Sequence, residues 1–236
     1  MSKEAIADFM KAIKDPAMFL KYCKKYHEED PRDIAYIIIR NIIFKDPENL
    51  SYILAASKLI ITWNTARHQR LPYEIRKSLE DDIIKAYEES RRTLESFKNE
   101  RLELLVLEDD LTKEKIKTAF FNFSSKKSIG STGASKILHI INPHVFMMWD
   151  TNIRNSYHKL HKKNHKTGDE ECYFEFLKQC QEIVRAILKQ KSEEDLWKIH
   201  HNFLDKDFIE ALSFKENILK MLDECNFVRF KLNIEL

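Results

Sequence analysis

Residues 124–133 read Ser-Ser-Lys-Lys-Ser-Ile-Gly-Ser-Thr-Gly, and they concentrate the groups that a phosphate needs. Lys126 and Lys127 bring positive charge, while Ser128, Ser131 and Thr132 offer hydroxyls. A turn at Gly130 that opens a helix exposes backbone N–H groups at the positive end of the helix dipole, with Gly133 one turn further on. Such a grip holds a phosphate of a nucleic-acid backbone and carries no sequence information. Twenty residues beyond Gly130, after the apolar approach Val145–Trp149, stands Asp150. The stretch 154–166 then holds Arg154, Lys159, Lys162, Lys163 and Lys166 with His158, His161 and His165, and no acid. It is the most basic part of the chain and suits a phosphate backbone. The three histidines have helix-compatible metal spacing, but no cysteine or acid completes the set locally. A basic loop, and no metal, is the expectation there.

These groups are embedded in 236 residues with 40 Lys+Arg against 38 Asp+Glu, a net charge of only +2. The molecule is not a polycation, so any nucleic-acid footprint is local. A hydrophobic fraction of 43% with 15 Phe excludes a disordered chain, and the length suits one large domain or two small ones. No apolar run approaches the ~20 residues of a membrane span. The start, Met1 to Ala5, carries no apolar signal segment, so the expected location is cytoplasmic, or nucleoid-associated in a prokaryote. Cys23, Cys172, Cys180 and Cys225 are scattered without a C-x-x-C pair, which argues against a zinc ribbon or a disulfide framework. Glycine-rich dinucleotide and P-loop motifs are absent. No cofactor is expected. Three glycines in the whole chain, with abundant Lys, Glu, Leu and Ile, point to an all-α fold.

Apolar spacing predicts helices over 4–14, 17–27, about 35–44, 48–66, 73–99 (one or two), 113–123, 133–141, 171–190, 193–204 and 206–224. Residues 102–107 are ambiguous. The last ten residues, Phe227 to Leu236, alternate apolar and polar, which predicts a short C-terminal β-strand. Its partner would be 102–107 or the same strand of a second copy, giving a homo-oligomer.

The run Ser128-Ile129-Gly130-Ser131-Thr132-Gly133-Ala134-Ser135-Lys136, followed by Pro143 and Asp150, resembles the helix–hairpin–helix DNA glycosylase superfamily. Ile60-Ile61-Thr62-Trp63-Asn64-Thr65 and the stretch around 192–197 resemble further parts of that pattern, nearest in look to the archaeal-type 8-oxoguanine DNA glycosylases. The resemblance covers roughly 30–205 as a glycosylase-like core, with 1–29 as an N-terminal helical extension and 206–236 as a C-terminal helix and strand. It implies a hydrolase of base-excision DNA repair that binds damaged duplex DNA through the hairpin and flips the base into a pocket. It further implies Asp150 as the catalytic carboxylate and Trp63, Asn64 and Trp149 as pocket residues. The superfamily's bifunctional members carry a lysine two residues after the hairpin glycine. Thr132 stands there instead and cannot form a Schiff base, leaving Lys136, one turn later, as the nearest amine. Ser128 replaces the first hairpin glycine. The four clustered cysteines of an iron–sulfur motif are missing.

Every piece also has a plainer role. Asp150 precedes a helix and suits an N-cap. Lys126, Lys127 and Lys136 suit a solvated surface. Trp63 and Trp149 suit a core, and Asn64 a helix end. A monofunctional glycosylase, weakly bifunctional if Lys136 acts, is the first reading. A non-catalytic nucleic-acid-binding helical protein that keeps the hairpin is the second. An interaction protein assembling through the C-terminal strand is the third.

Overall fold

A computed structural model describes residues 2–29, 33–47, 49–62, 69–161, 168–204 and 217–236. The described residues form twelve α-helices: α1 (Lys3–Ala12), α2 (Pro16–Glu29), α3 (Asp33–Lys45), α4 (Leu50–Thr62), α5 (Tyr73–Lys77), α6 (Leu79–Ser96), α7 (Asp110–Ser124), α8 (Gly130–Ile141), α9 (Thr151–His161), α10 (Asp169–Leu188), α11 (Glu193–His200) and α12 (Ile218–Asn226). The all-α class expected from composition is what the structure shows. None of these helices is long and apolar enough to cross a membrane.

Local chemistry explains where many of them begin. Side chains of Ser2, Asp109, Ser192 and Asn217 accept hydrogen bonds from amides in the first turns of α1, α7, α11 and α12. Each thereby satisfies an N–H that the helix itself cannot. Three acids in the first turn of α11 add a favourable interaction with its dipole.

The centre is the pair α7 and α8, joined by the turn 125–129. Helices α6 and α10 pack on α7, and α3 and α4 pack on α8. The two ends of the chain meet: α2 lies against α11 and α12, and α1 lies against α9. One continuous cluster of buried apolar side chains runs from Ile6 to Phe230, so the terminal segments share the core of the middle. The nearly all-apolar segment of α3 is a helix as expected. Tyr36, Ile37, Ile39 and Ile43 are buried, while Ile38 and Phe44 stay exposed.

The C-terminal strand is a correction. Phe227–Lys231 continue α12 as a π-helical turn, and no strand occurs among the described residues. Leu232 N–H donates to Phe227 O at 3.1 Å and Ile234 N–H to Val228 O at 3.1 Å. The physical reason is packing. Phe230 sets its ring edge-on to Phe9 at 5.2 Å and to Tyr157 at 5.7 Å. A strand would also need a ladder partner, and 102–107 supplies none. Leu102–Leu104 are a 3₁₀ turn, Leu102 N–H donates to His144 O, and Gln181 Nε2 donates to Leu102 O and Leu105 O. An assembly through a C-terminal strand thus loses the element it relied on.

One polar set sits inside the core. His139 is fully buried on α8; its Nδ1–H donates to Phe146 O at 2.7 Å. A carbonyl only accepts, so Nε2 carries the lone pair and receives the Tyr36 hydroxyl at 2.9 Å. Burial first, then the charges of Arg40 and Lys220, push His139 down to about 3, against the phenylalanine carbonyl that favours its protonation. Unfolded, the same imidazole titrates near 6.5. Between those values the unfolded chain binds the extra proton, so stability contributed by neutral His139 is complete above pH 6.5 and is lost as pH falls toward 3. Denaturant unfolding at a series of pH values is expected to show this loss, and His139→Asn, which keeps a donor toward Phe146 O, is expected to flatten it by up to about 1.4 kcal/mol per pH unit.

Candidate functional site

The turn between α7 and α8 has the geometry that its glycine suggested. Gly130 adopts φ 61°, a left-handed conformation that glycine takes without penalty. The N–H groups of Ile129 and Gly130 both donate to Lys126 O, closing the turn. The first turn of α8 then begins without a side-chain cap. Gly133 is a packing glycine. A Cβ there would meet Ile129 Cγ2 at 3.0 Å and Ile61 of α4 at 3.6 Å.

The side chains offered to a phosphate are engaged by carboxylates. Ser128 is buried and its hydroxyl donates to Asp82 Oδ2 at 2.6 Å. Lys126 pairs with Glu89 at 2.9 Å, and the Ser131 hydroxyl donates to Asp169. Asp169 also receives Arg154 at 3.5 Å, so one cation of the basic stretch is tied to the same acid. Lys127 is exposed and Thr132 half-buried. The positions 162–167 that carry Lys162, Lys163, His165 and Lys166 lie outside the described residues. So do Trp63 and Asn64.

Beyond α8 the chain runs back through the core. Residues 145–149 are buried, and side chains meet the backbone at Phe146, Met147 and Trp149. The Tyr173 hydroxyl donates to Met147 O at 2.8 Å and accepts from Met147 N at 3.2 Å. Ser135 Oγ accepts from Trp149 N at 2.9 Å and donates to Thr132 O at 3.1 Å. Ser135 and Trp149 are the chain neighbours of Lys136 and Asp150, so this bond brings the two proposed catalytic positions into one region.

Asp150 is half-buried at the start of α9. Its Oδ1 accepts from Asn152 N at 2.8 Å and from Ile153 N at 2.9 Å, so it does cap the helix. Capping and a role at a site are compatible, because both engaged amides share one oxygen. Lys136 is half-buried on α8. A third group, Asp223 of α12, was not legible in the sequence. Burial above all pushes its carboxyl up to about 7; Lys220 and Lys136 pull it down, and Asp150 and Glu224 push it up. Lys136 and Asp150 therefore both act on Asp223, which α12 brings in from about 70 residues further along the chain. The hint in the chain was charge on a helix otherwise rich in buried apolar positions, Leu219, Met221, Leu222 and Cys225.

Trp149 is core. It is 1% exposed and packs among Phe120, Tyr173, Phe176 and His158 at 5.6–6.1 Å between ring centroids. Arg154 lies over its ring at 5.9 Å. The cavity beside it, lined by Trp149, Tyr157, His158 and Phe176 among others, measures about 20 Å³. That holds about one water molecule, not a base.

Three substitutions test this geometry. Gly130→Ala forces a Cβ into the left-handed region and is expected to lower unfolding free energy by ~1–2 kcal/mol in urea titrations. Asp150→Ala removes the α9 cap and is expected to cost about 1 kcal/mol, whereas Asp150→Asn, which still caps, costs a fraction of that.

Compared with protein families, with curated proteins and with solved structures, the chain matches none.

Proposed function

We propose that the chain is a DNA glycosylase-like protein that acts on a damaged base in duplex DNA, with Asp150 as its catalytic carboxylate. The observation that carries this reading is the hydrogen bond from Trp149 N to Ser135 Oγ at 2.9 Å. It folds the segment after the hairpin back onto α8, the helix that carries Lys136, the amine nearest to position 132, where the resemblance calls for a lysine and Thr132 stands. In this reading the glycosidic electron pair leaves with the base, and Asp150 stabilises the oxocarbenium-like sugar that develops. Water then bonds to the anomeric carbon and gives its proton to the carboxylate. As the ammonium, Lys136 supplies positive charge to the site; in a weaker lyase branch its neutral amine, its proton given to Asp150, bonds to the same carbon as the glycosidic bond breaks and the base leaves.

The second reading is a non-catalytic nucleic-acid binder. Asp82, Glu89 and Asp169 ring the hairpin and already take up Ser128, Lys126 and Ser131, which narrows the phosphate grip in both readings; what favours the second is the space beside Trp149. The cavity at Trp149 is too small for a flipped base. Lys127 and the uncapped first turn of α8 remain for a phosphate in either case.

Base release from duplexes carrying 8-oxoguanine, uracil or an alkylated base, read with and without alkali, separates the two. Turnover that needs alkali for strand cleavage is expected, and Asp150→Asn is expected to lower it by about 100-fold or more while unfolding and DNA affinity stay near wild type. Unchanged turnover in Asp150→Asn overturns the catalytic assignment. Salt-sensitive binding with no release from any substrate moves the conclusion to the binding protein.

A further inference from the structure

Where the two ends of the chain meet, four metal-ligating side chains converge. Helix α2 carries Cys23 and His27 one turn apart, α11 carries His200, and α12 carries Glu224. Cys23, His200 and Glu224 are fully buried, and the His27 side chain is 8% exposed. His200 Nε2 stands 2.8 Å from Glu224 Oε2 and 3.1 Å from His27 Nε2, and His27 Nε2 stands 3.4 Å from Glu224 Oε2. The donor atoms of Cys23, His200 and Glu224 all lie within 4.8 Å of one another.

This triangle suits a cation better than a proton. An imidazole nitrogen has one in-plane position, which holds either a proton or a lone pair. His200 Nε2 directs that single position at both an imidazole nitrogen and a carboxylate oxygen. Three tetrahedral ligands with bonds of about 2.0–2.1 Å leave their donor atoms roughly 3.3–3.4 Å apart. The observed 2.8, 3.1 and 3.4 Å need adjustments of a few tenths of an ångström. Cys23 Sγ has only weak contacts to give up, Met221 O at 3.4 Å and Cys225 Sγ at 3.8 Å.

From this convergence we propose that Cys23, His27, His200 and Glu224 form a structural zinc site that fastens α2 to α11 and α12. One thiolate, two imidazoles and one carboxylate make a set that suits Zn²⁺ and is too soft for Mg²⁺ or Ca²⁺. Thiolate and carboxylate together neutralise the ion's charge. The second carboxylate oxygen is held by Lys220 Nζ at 2.8 Å, which fixes the orientation of Glu224. The ammonium itself rests over the rings of Tyr26 at 4.5 Å and Tyr36 at 5.1 Å. Four protein ligands in a buried place leave no open position, so the ion ties the fold together and does not activate water. Binding releases the Cys23 thiol proton, and its free energy appears as folding stability.

The test uses the full chain. Elemental analysis of the purified protein is expected to find one zinc per chain. Stripping it with a chelator is expected to lower Tm, and adding zinc back to restore it. Cobalt(II) in place of zinc is expected to give intense tetrahedral bands with a thiolate charge-transfer band. Cys23→Ser removes the charge-transfer band, and His27→Gln, at the rim of the cluster, loses stoichiometric metal while the chain stays helical by circular dichroism. A folded wild-type chain that holds no zinc after addition and shows no Tm shift overturns the site. A charge-transfer band that survives Cys23→Ser but vanishes in Cys225→Ser overturns the assignment of Cys23.

Discussion

A non-helical backbone crossing a helical core must find partners for its polar groups, and side chains supply several of them along residues 145–149. Phe146 O accepts from His139, Met147 uses both its N–H and C=O on the Tyr173 hydroxyl, and Trp149 N donates to Ser135. Those bonds fix α8, α10 and the connecting segment relative to one another. The position of Asp150 follows, because it is the first residue past the last of these tethers and the cap of the next helix. A site that depends on the placing of Asp150 beside α8 therefore depends on a serine, a tyrosine and a histidine that do no chemistry themselves.

The hairpin shows the opposite balance. Its turn is well formed around Gly130, yet its polar side chains look inward to acids on α6 and α10. A hydroxyl already donating to a carboxylate must lose that bond before it serves a phosphate, and a charge-assisted bond of this kind is among the stronger ones. A net charge of +2 leaves little long-range attraction to compensate. Nucleic-acid affinity at this hairpin would rest on Lys127 and on backbone N–H groups at the start of α8. That is a narrow footprint.

The chain ends are held by buried charge as well as by apolar packing. Glu224 lies in the core with Lys220, His200 and His27 around it, and those neighbours hold its carboxyl well below the usual range although burial alone would raise it. Removing one partner from such a group leaves an uncompensated buried charge, which is far costlier than replacing the whole set. The docking of α2 against α11 and α12 therefore depends on keeping the whole set of polar partners together.

Much of the fold was legible in the chain. Helical spacing placed most of the elements, the scarcity of glycine excluded other classes, and Gly130 marked the turn before α8. But α9 runs to His161 through part of the stretch 154–166 expected to be a basic loop, and the first part of the expected helix 206–224 lies outside the described residues. The period-two alternation of 227–236 misled, because Phe230 packs on Phe9 and Tyr157 from a helical turn, and no strand occurs among the described residues to pair with it. The hairpin serines and lysine were visible, but their acids, Asp82, Glu89 and Asp169, lie 37 to 46 residues away. Local periodicity and capping act over one or two turns, so the sequence by itself determined most of the helical segments and where several begin. Asp223 beside Asp150, and Glu224 beside Cys23, His27 and His200, were decided only by tertiary structure. Packing brings positions some 200 residues apart within bonding distance, and no short-range pattern encodes that.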